Sequence, residues 1–192
     1  PEYHPEVDTG VHAMMVLDMS AQLNAPLTVR YACLCHDFGK GTTPPDVLPR
    51  HIGHEERSAR LAKALTQRWR VPVECKELAD VVAREHGNIH RSGDLNAAAI
   101  VRLLERCDAL RRPARFEQAL LACEADARGR LKFDSAPYTQ APRLLTALRA
   151  ALPVRVADLP ATECTSGPHI AKALQRARTR AIAHALGMSD SD

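Results

Sequence analysis

Apolar residues recur at intervals of three and four along most of this chain, which is the spacing of one face of an α-helix. Met15, Val16, Met19 and Leu23 show the pattern first and predict a helix over about 11–23. The same spacing predicts further helices: about 28–37, one that starts at 53, one that ends near 86, one that starts after 94 or 96 and contains Asp108, and about 115–128. No stretch shows the alternation of a strand, so the predicted fold class is all-α.

The end of the chain differs in character from the region before it. Three prolines interrupt the pattern from Leu152 to Pro168, so we interpret 152–167 as a connector. A basic helix is predicted over 168–186 and a tail over 187–192. Because the first residue is Pro1 rather than Met, we expect a fragment of a longer protein. The remaining divisions are a lead-in at 1–8, a core over 9–110 and supporting helices over 111–151.

Three polar residues fall on the apolar stripe of their own predicted helix. Each of them is preceded, three, four or seven positions earlier, by apolar residues. These are Val29, Ala32 and Cys33 before His36, Ala79 and Val82 before His86, and Val101 and Leu104 before Asp108. A carboxylate directed into a core must be hydrogen-bonded, paired or bound to a metal. His12, Asp37 and His54 extend the set, and one shared divalent ion would explain all of these burial costs together. The alternatives are separately hydrogen-bonded core histidines and a helix cap at Asp37.

The composition narrows the class of protein. The chain has 192 residues, enough for one domain with an appendage. Apolar residues make up 45% but aromatic residues only 4%, which favours helices packed through Leu, Ala and Val. The six cysteines form no CxxC pair, so we expect free thiols and a cytoplasmic location. No segment has the pattern of a membrane span or a signal peptide, so no membrane partner is expected.

The net charge is only +3, but basic residues crowd one stretch of the chain. That stretch contains Arg102, Arg106, Arg111, Arg112, Arg115, Arg128, Arg130 and Lys132. The predicted terminal helix adds Lys172, Arg176, Arg178 and Arg180. A solvated helix face and a phosphate-facing surface both explain such a run, and the sequence leaves the choice open.

The polar residues also carry a family resemblance. His12, the doublet His36-Asp37, and Asp108, each on its own predicted helix, resemble the arrangement of the HD superfamily of metal-dependent phosphohydrolases. Four phrases narrow the resemblance: EYHPEVDTGVH at 2–12, HDFGKGTTPP at 36–45, RHIGHE at 50–55 and EADARGR at 124–130. In this order they look like the C-terminal HD domain of the bacterial multifunctional CCA-adding enzymes, which are tRNA nucleotidyltransferases. The resemblance implies an HD-domain helical bundle with the last helix as an appendage.

The same resemblance implies an activity. Members carry an N-terminal nucleotidyltransferase head that rebuilds the CCA end of tRNA, and its Gly-Asp-x-Asp motif is absent here, so 1–8 would lead in from a missing head. Their HD domain is a separate phosphohydrolase for 2′,3′-cyclic phosphates, 2′-nucleotides and simple phosphate esters. We therefore expect a divalent ion (Ni²⁺, Mg²⁺ or Mn²⁺) and a phosphate ester or RNA end as substrate. Expected partners of the full-length protein are tRNA and, as a further option, a second copy.

The family pattern also implies roles for individual residues. The ligands of its first metal are matched by His12, His36, Asp37 and Asp108. His54 and His86 could complete a second metal site, or bind the phosphate and protonate the leaving oxygen beside a single metal. The expected catalytic set is Asp37, Lys40, His54 and His86.

Basic residues near these positions are candidate contacts to the phosphate. Lys40 follows the doublet closely and could act as an electrostatic clamp, or it could face solvent. Arg128 and Arg130 could bind the phosphate, or they could form ion pairs with Glu124 or Asp126. Glu55 could orient a ligating histidine, or it could be a solvated acid at the start of a helix.

Two other functions remain open from the sequence. One is a tRNA-binding or dimerisation module whose metal is structural, but a set of ligands with open metal positions argues against it. The other is hydrolysis of a signalling nucleotide such as a guanosine polyphosphate, and the four phrases argue against that. His51 and His90 are expected in solvated loops, because no inward pattern supports them.

Overall fold

A computed structural model of the chain describes residues 8–188. Within them the chain forms eight α-helices, a few short 3₁₀ turns and no strand. The helices are α1 Thr9–Gln22, α2 Leu27–Cys35, α3 His54–Trp69, α4 Val73–His90, α5 Ala97–Arg106, α6 Pro113–Arg128, α7 Gln140–Ala151 and α8 Gly167–Leu186. The predicted all-α class is therefore confirmed. None of the helices in this described part has the length and apolar character needed to cross a bilayer.

The helix ends follow from local sequence. The carboxylate of Asp8 accepts hydrogen bonds from the backbone N–H groups of Gly10 and Val11, at 2.7 and 3.1 Å, and caps α1. Asn96 caps α5 in the same way, through Ala99 at 2.9 Å. Gly187 ends α8 with a positive φ of 64°, a conformation that glycine adopts without steric cost. Polar residues that cap the start of a helix and a glycine that ends one can be recognised in the sequence.

The stretch interpreted as a connector contains two short 3₁₀ turns, Val156–Asp158 and Ala161–Glu163. Most of the predicted lead-in and the last residues of the predicted tail lie outside the described residues. The finer division into lead-in, core, supporting helices, connector and tail stays a prediction.

The chain forms two compact units, each of which draws on two stretches of sequence. Unit 1 consists of the residues up to His90 together with Glu117–Tyr138. In it α2 packs against α1 and α4, and α3 packs against α4. Its interior includes the fully buried Val16, Val29, Leu78, Ala119 and Cys123.

Unit 2 consists of Arg91–Phe116 together with the residues from Thr139 onward. In it α8 packs against both α5 and α7. Leucines and isoleucines dominate the interior of this unit: Ile100, Leu103, Leu104, Leu144, Leu148 and Ile182.

Two glycines in unit 1 allow close backbone approaches. A Cβ atom at Gly39 would lie 2.6 Å from the backbone nitrogen of Ser58, and the Gly39 N–H donates a hydrogen bond of 2.8 Å to the Ser58 hydroxyl. A Cβ atom at Gly129 would lie 2.8 Å from the Cα atom of Val16. The first approach seats the turn after α2 against the start of α3, and the second seats the end of α6 against α1.

Candidate metal centre

Unit 1 gathers its buried histidines and carboxylates into two clusters. In each cluster one ligand atom from every residue lies within 4.8 Å of the others. Cluster A consists of His12 from α1, His36 at the end of α2 and Asp126 from α6. Cluster B consists of Asp37 after α2, His54 at the start of α3 and His86 from α4. Of the predicted ligands and catalytic histidines, only Asp108 is absent from both clusters.

Asp108, which the sequence predicts as a ligand, belongs to neither cluster within residues 8–188, whereas Asp126 lies beside His12 and His36. Helix α5 ends at Arg106, and Asp108 has a left-handed backbone with φ of 53°, so the helical spacing on which the prediction rested does not extend to it. Asp108 belongs to unit 2, where its carboxylate lies 3.5 to 3.7 Å from the side chains of Arg111, Arg112 and Arg115.

Asp126 is only 3% exposed, and its Oδ1 atom lies 2.9 Å from His12 Nε2 and 3.5 Å from His36 Nε2. The signal for it was present in the sequence. Ala119, Ala122 and Cys123 precede Asp126 by seven, four and three residues, which is the spacing that singled out His36. Asp126 also lies within the family phrase at 124–130.

Asp37 joins the two clusters. Its Oδ2 atom faces cluster A, at 3.2 Å from His36 Nε2 and 4.0 Å from His12 Nε2. Its Oδ1 atom faces cluster B, at 3.4 Å from His54 Nε2 and 3.6 Å from His86 Nε2. One carboxylate therefore offers a separate oxygen to each cluster.

Backbone hydrogen bonds orient three of the histidines. Their Nδ1 atoms lie next to backbone carbonyl oxygens: Cys33 at 2.7 Å for His36, His51 at 3.1 Å for His54 and Val82 at 2.9 Å for His86. A carbonyl oxygen only accepts, so this network assigns the proton to each Nδ1 atom. The neutral form of each ring then directs a lone pair on Nε2 into its cluster, as in histidines that bind metal ions.

This arrangement leaves acceptors facing acceptors. His36 Nε2 and Asp37 Oδ1 are buried and make no hydrogen bond within residues 8–188. At cluster B, two Nε2 lone pairs and a carboxylate oxygen meet in the same way. Buried acceptors directed at one another need a cation or an added proton between them. Imidazole nitrogens with carboxylate oxygens are a donor set that divalent transition ions prefer, so the residues present fit a metal.

The pKa values in cluster A reflect the buried charges. Burial alone would lower the pKa of His36, but the carboxylates of Asp37 and Asp126 outweigh it and hold that pKa well above its usual range. Burial would raise the pKa values of Asp37 and Asp126, but the charge on His36 holds both well below their usual range, and hydrogen bonds from His12 and His90 act in the same direction on Asp126. A proton on His36 thus supplies the positive charge between the two carboxylates that a bound cation would otherwise supply.

Cluster B has the opposite character. Burial lowers the pKa of His86 to about 4, and the charge of His36 acts in the same direction. Burial also lowers the pKa of His54, although Asp37 partly offsets it. Both rings are therefore neutral near pH 7, and neutral imidazole is the form that binds a metal ion.

Lys40 and Arg130 approach the clusters directly. Lys40 Nζ lies 2.7 Å from Asp37 Oδ2, and the lysine side chain is only 11% exposed, so it does not face solvent freely. An Arg130 guanidinium nitrogen lies 3.8 Å from Asp126 Oδ1. Both basic side chains therefore lie next to the carboxylates of the two clusters.

Arg128 and Glu55 stand farther from the clusters. Arg128 forms an ion pair of 2.8 Å with Glu124 and also donates to the carbonyl of Asp134. Glu55 lies 3.4 Å from His54 Nδ1. Arg128 is thus already engaged, whereas Glu55 stands where it could orient His54.

The expectation for His90 is wrong, because α4 continues to this residue. His90 is half-buried, and its Nε2 atom lies 2.7 Å from Asp126 Oδ2. Its position four residues after His86 could have indicated the same helix face. His51 does lie in a loop as expected, where its Nδ1 atom is 2.7 Å from the hydroxyl of Thr43.

Unit 2 carries a basic groove and no residue of either cluster. The groove lies between α5 and α8, has a volume of about 300 Å³ and is lined by Ala98, Arg102, Gln175, Arg176, Thr179 and Arg180. Arg102 and Arg180 are exposed, whereas Arg176 pairs with Glu163 at 2.6 Å. The sequence of unit 2 contains 13 Lys and Arg against 7 Asp and Glu, and that of unit 1 contains 13 against 16.

Comparison with known proteins identifies relatives over nearly the whole chain. The family described as HD domain matches residues 9–127. A protein named Multifunctional CCA protein from Acidovorax sp. (strain JS42) is 67% identical over 186 residues, which cover 95% of this chain and 44% of that protein. Proteins of the same name from Polaromonas naphthalenivorans (strain CJ2) and Cupriavidus metallidurans are 65% and 58% identical, over 94% and 99% of this chain and 43% and 46% of theirs.

The chain spans less than half the length of these curated relatives. No solved structure matches it significantly. The HD match includes every residue of clusters A and B, Asp126 among them.

Proposed function

Because the chain belongs to the HD domain family, we propose that it is a metal-dependent phosphohydrolase domain that cleaves 2′,3′-cyclic phosphates, 2′-nucleotides and simple phosphate esters. The observation that carries the proposal is the convergence of clusters A and B on the two oxygens of Asp37. A binding module would have no need for neutral imidazoles and carboxylates that leave positions open for water and substrate.

His12, His36, Asp37 and Asp126 would hold the first ion. An ion bound there would supply polarisation of a phosphoryl oxygen and a water of lowered pKa as nucleophile. The chain's own contribution is orientation, since the carbonyl of Cys33 holds the His36 ring with Nε2 inward. Lys40 and Arg130 would bind the anionic oxygens of the phosphate from the rim.

His54 and His86 serve better as ligands than as proton donors. Their pKa values are lowered, so at pH 7 neither carries a proton on Nε2 to give to a leaving oxygen. With Asp37 they form a nitrogen-rich set for a second ion. Such a set favours Ni²⁺ over Mg²⁺, which prefers oxygen ligands.

The test is hydrolysis of 2′,3′-cyclic AMP by the metal-stripped chain, repeated with Ni²⁺, Mn²⁺ and Mg²⁺. We expect turnover only after a metal is restored. Asp37→Ala should abolish turnover and keep the helical fold, because it removes an oxygen from both clusters. Asp46→Ala is the matched control, since Asp46 is an exposed loop carboxylate. Turnover without metal, or full turnover in Asp37→Ala, would contradict the proposal.

A second function is favoured by the groove between α5 and α8. We propose that this groove contacts the phosphate backbone of RNA, with tRNA as partner of a longer, cytoplasmic protein. The name of the relatives and the excess of basic residues in unit 2 support this role. The metal clusters belong to unit 1, so the two roles are separable by mutation.

Fluorescence anisotropy with a labelled tRNA tests the second function. The double variant Arg102→Ala/Arg180→Ala should weaken binding. The slope of log K against the logarithm of the salt concentration should also become shallower by about two, because two contacts to phosphates are lost. Arg149→Ala is the control, because Arg149 is exposed on α7 and does not line the groove. Equal loss in the double variant and in Arg149→Ala would show only a general charge effect.

A further inference from the structure

The two oxygens of Asp126 have different environments. Oδ1 faces cluster A, at 2.9 Å from His12 Nε2 and 3.5 Å from His36 Nε2. Oδ2 lies 2.7 Å from the Nε2 atom of His90, at the end of α4. His90 in turn lies next to Tyr138, whose hydroxyl is 3.0 Å from its Nδ1 atom. A chain of side chains therefore runs outward from the metal ligand Asp126 through His90 to Tyr138.

His90 is oriented in the opposite sense to the histidines of the clusters. His36, His54 and His86 give Nδ1 to a backbone carbonyl and direct Nε2 inward. In His90, by contrast, Nε2 lies next to a carboxylate oxygen and Nδ1 lies next to a phenol hydroxyl. An ionised carboxylate only accepts, so His90 Nε2 carries the proton, and the neutral ring then accepts from the Tyr138 hydroxyl. His90 thus holds Asp126 rather than offering a lone pair to a metal.

We propose that His90 and Tyr138 are positioning residues of the metal centre. His90 holds the outer oxygen Oδ2 of Asp126, Tyr138 holds the His90 ring, and Oδ1 is left to bind the ion through a single oxygen. Hydrogen bonds of this kind to a ligand typically change metal affinity by about 10- to 100-fold. The inference rests on the proposed metal-binding function of cluster A.

Tyr138 brings a separate segment to the site. It lies beyond the end of α6, after the exposed turn at 131–135, and is itself half-buried. Burial raises the pKa of Tyr138, and nearby acids including Asp126 act in the same direction, so its hydroxyl keeps its proton. A purely structural role would be to tie this segment to α4, and that role predicts no effect on metal binding.

The test is titration of the metal-stripped chain with Mn²⁺, followed by calorimetry. We expect His90→Leu to weaken Mn²⁺ binding about tenfold or more, and Tyr138→Phe to weaken it by a smaller factor. His90→Gln should keep most of the affinity, since its amide N–H can replace the imidazole N–H. The double variant His90→Leu/Tyr138→Phe should bind no more weakly than His90→Leu alone, because Tyr138 acts through His90.

Tyr31→Phe is the matched control. Tyr31 is a buried tyrosine whose hydroxyl bonds to Thr66 at 2.8 Å, and Thr66 belongs to neither cluster. Thermal unfolding in chelator records the structural cost of each variant. If His90→Leu does not fold, the comparison of Tyr138→Phe with Tyr31→Phe decides. Equal Mn²⁺ affinity in those two variants would overturn the inference, whereas a wild-type chain that binds no Mn²⁺ would overturn the proposed function with it.

Discussion

At the scale of residues, the centre is a set of buried charges that compensate one another. His36 lies between the carboxylates of Asp37 and Asp126; the two carboxylates favour the charged form of His36, and the charge on His36 favours the ionised form of each carboxylate. Breaking such a buried set by removing one partner is costly, because it leaves an uncompensated charge. The same charges make the stability of the chain depend on pH in two opposite ways.

The carboxylates act on the acid side. The pKa values of Asp37 and Asp126 are lower in the folded chain than their usual value near about 3.8, so their stabilisation is present above about pH 4 and is lost as the pH falls. The pKa of His36 is higher than its usual value near about 6.5, so its stabilisation is present below about pH 6.5 and is lost as the pH rises through the folded value.

Burial lowers the pKa of His86 to about 4 and also lowers that of His54, so their stabilisation is present above about pH 6.5 and is lost as the pH falls. We therefore expect the free energy of unfolding in chelator to be greatest near about pH 6.5. Urea unfolding at a series of pH values measures this directly. Asp126→Asn should be less stable and should lose less stability on acidification than wild type, whereas Asp158→Asn, at an exposed position, should follow wild type. An Asp126→Asn variant with the full acid dependence of wild type would refute the assignment of charge.

At the scale of elements, the site depends on where helices end. The periodicity of α1, α2 and α4 predicted the inward histidines, because these helices continue through or up to them. The same periodicity was carried past Arg106 to Asp108, where the backbone has already left the helix. Helix ends are set by caps and tertiary packing, which a repeat of apolar residues does not report.

Long-range contacts were the other part that the sequence could not supply. Asp126 met the same spacing test as His36, but nothing in the sequence states which carboxylate returns to His12 from a distant helix. His90 shows the same limit, since its role is visible only once Asp126 and Tyr138 lie beside it. Most of the residues that form the clusters could therefore be predicted from the sequence, whereas the contacts between residues on distant helices could not.

The turn after α2 offers a prediction at this scale. Gly39→Ala should destabilise the chain by about 1–3 kcal/mol and reduce hydrolysis, because the new methyl group meets the backbone of α3 near His54. Gly41→Ala is the control, since Gly41 lies in the same turn with open space around its Cα atom. Urea unfolding measures both variants, and equal stability would show that the close approach at Gly39 does not matter.

At the scale of the whole molecule, chemistry and charge are divided between the two units. Unit 1 carries clusters A and B and a formal excess of acids, whereas unit 2 carries the basic groove between α5 and α8. The HD match from 9 to 127 runs across this division, because α6 returns the chain to unit 1 and delivers Asp126. Catalysis and polyanion binding should therefore respond to different mutations.

The most direct test of the account compares the two carboxylates that compete for the role of first-metal ligand. The rate of metal-dependent hydrolysis of 2′,3′-cyclic AMP is measured for Asp126→Asn and Asp108→Asn beside wild type. We predict a loss of about a hundredfold or more in Asp126→Asn. Asp108→Asn should keep the wild-type rate, since asparagine tolerates the left-handed backbone at that position. Loss of the rate in Asp108→Asn, with the rate retained in Asp126→Asn, would contradict the proposed centre.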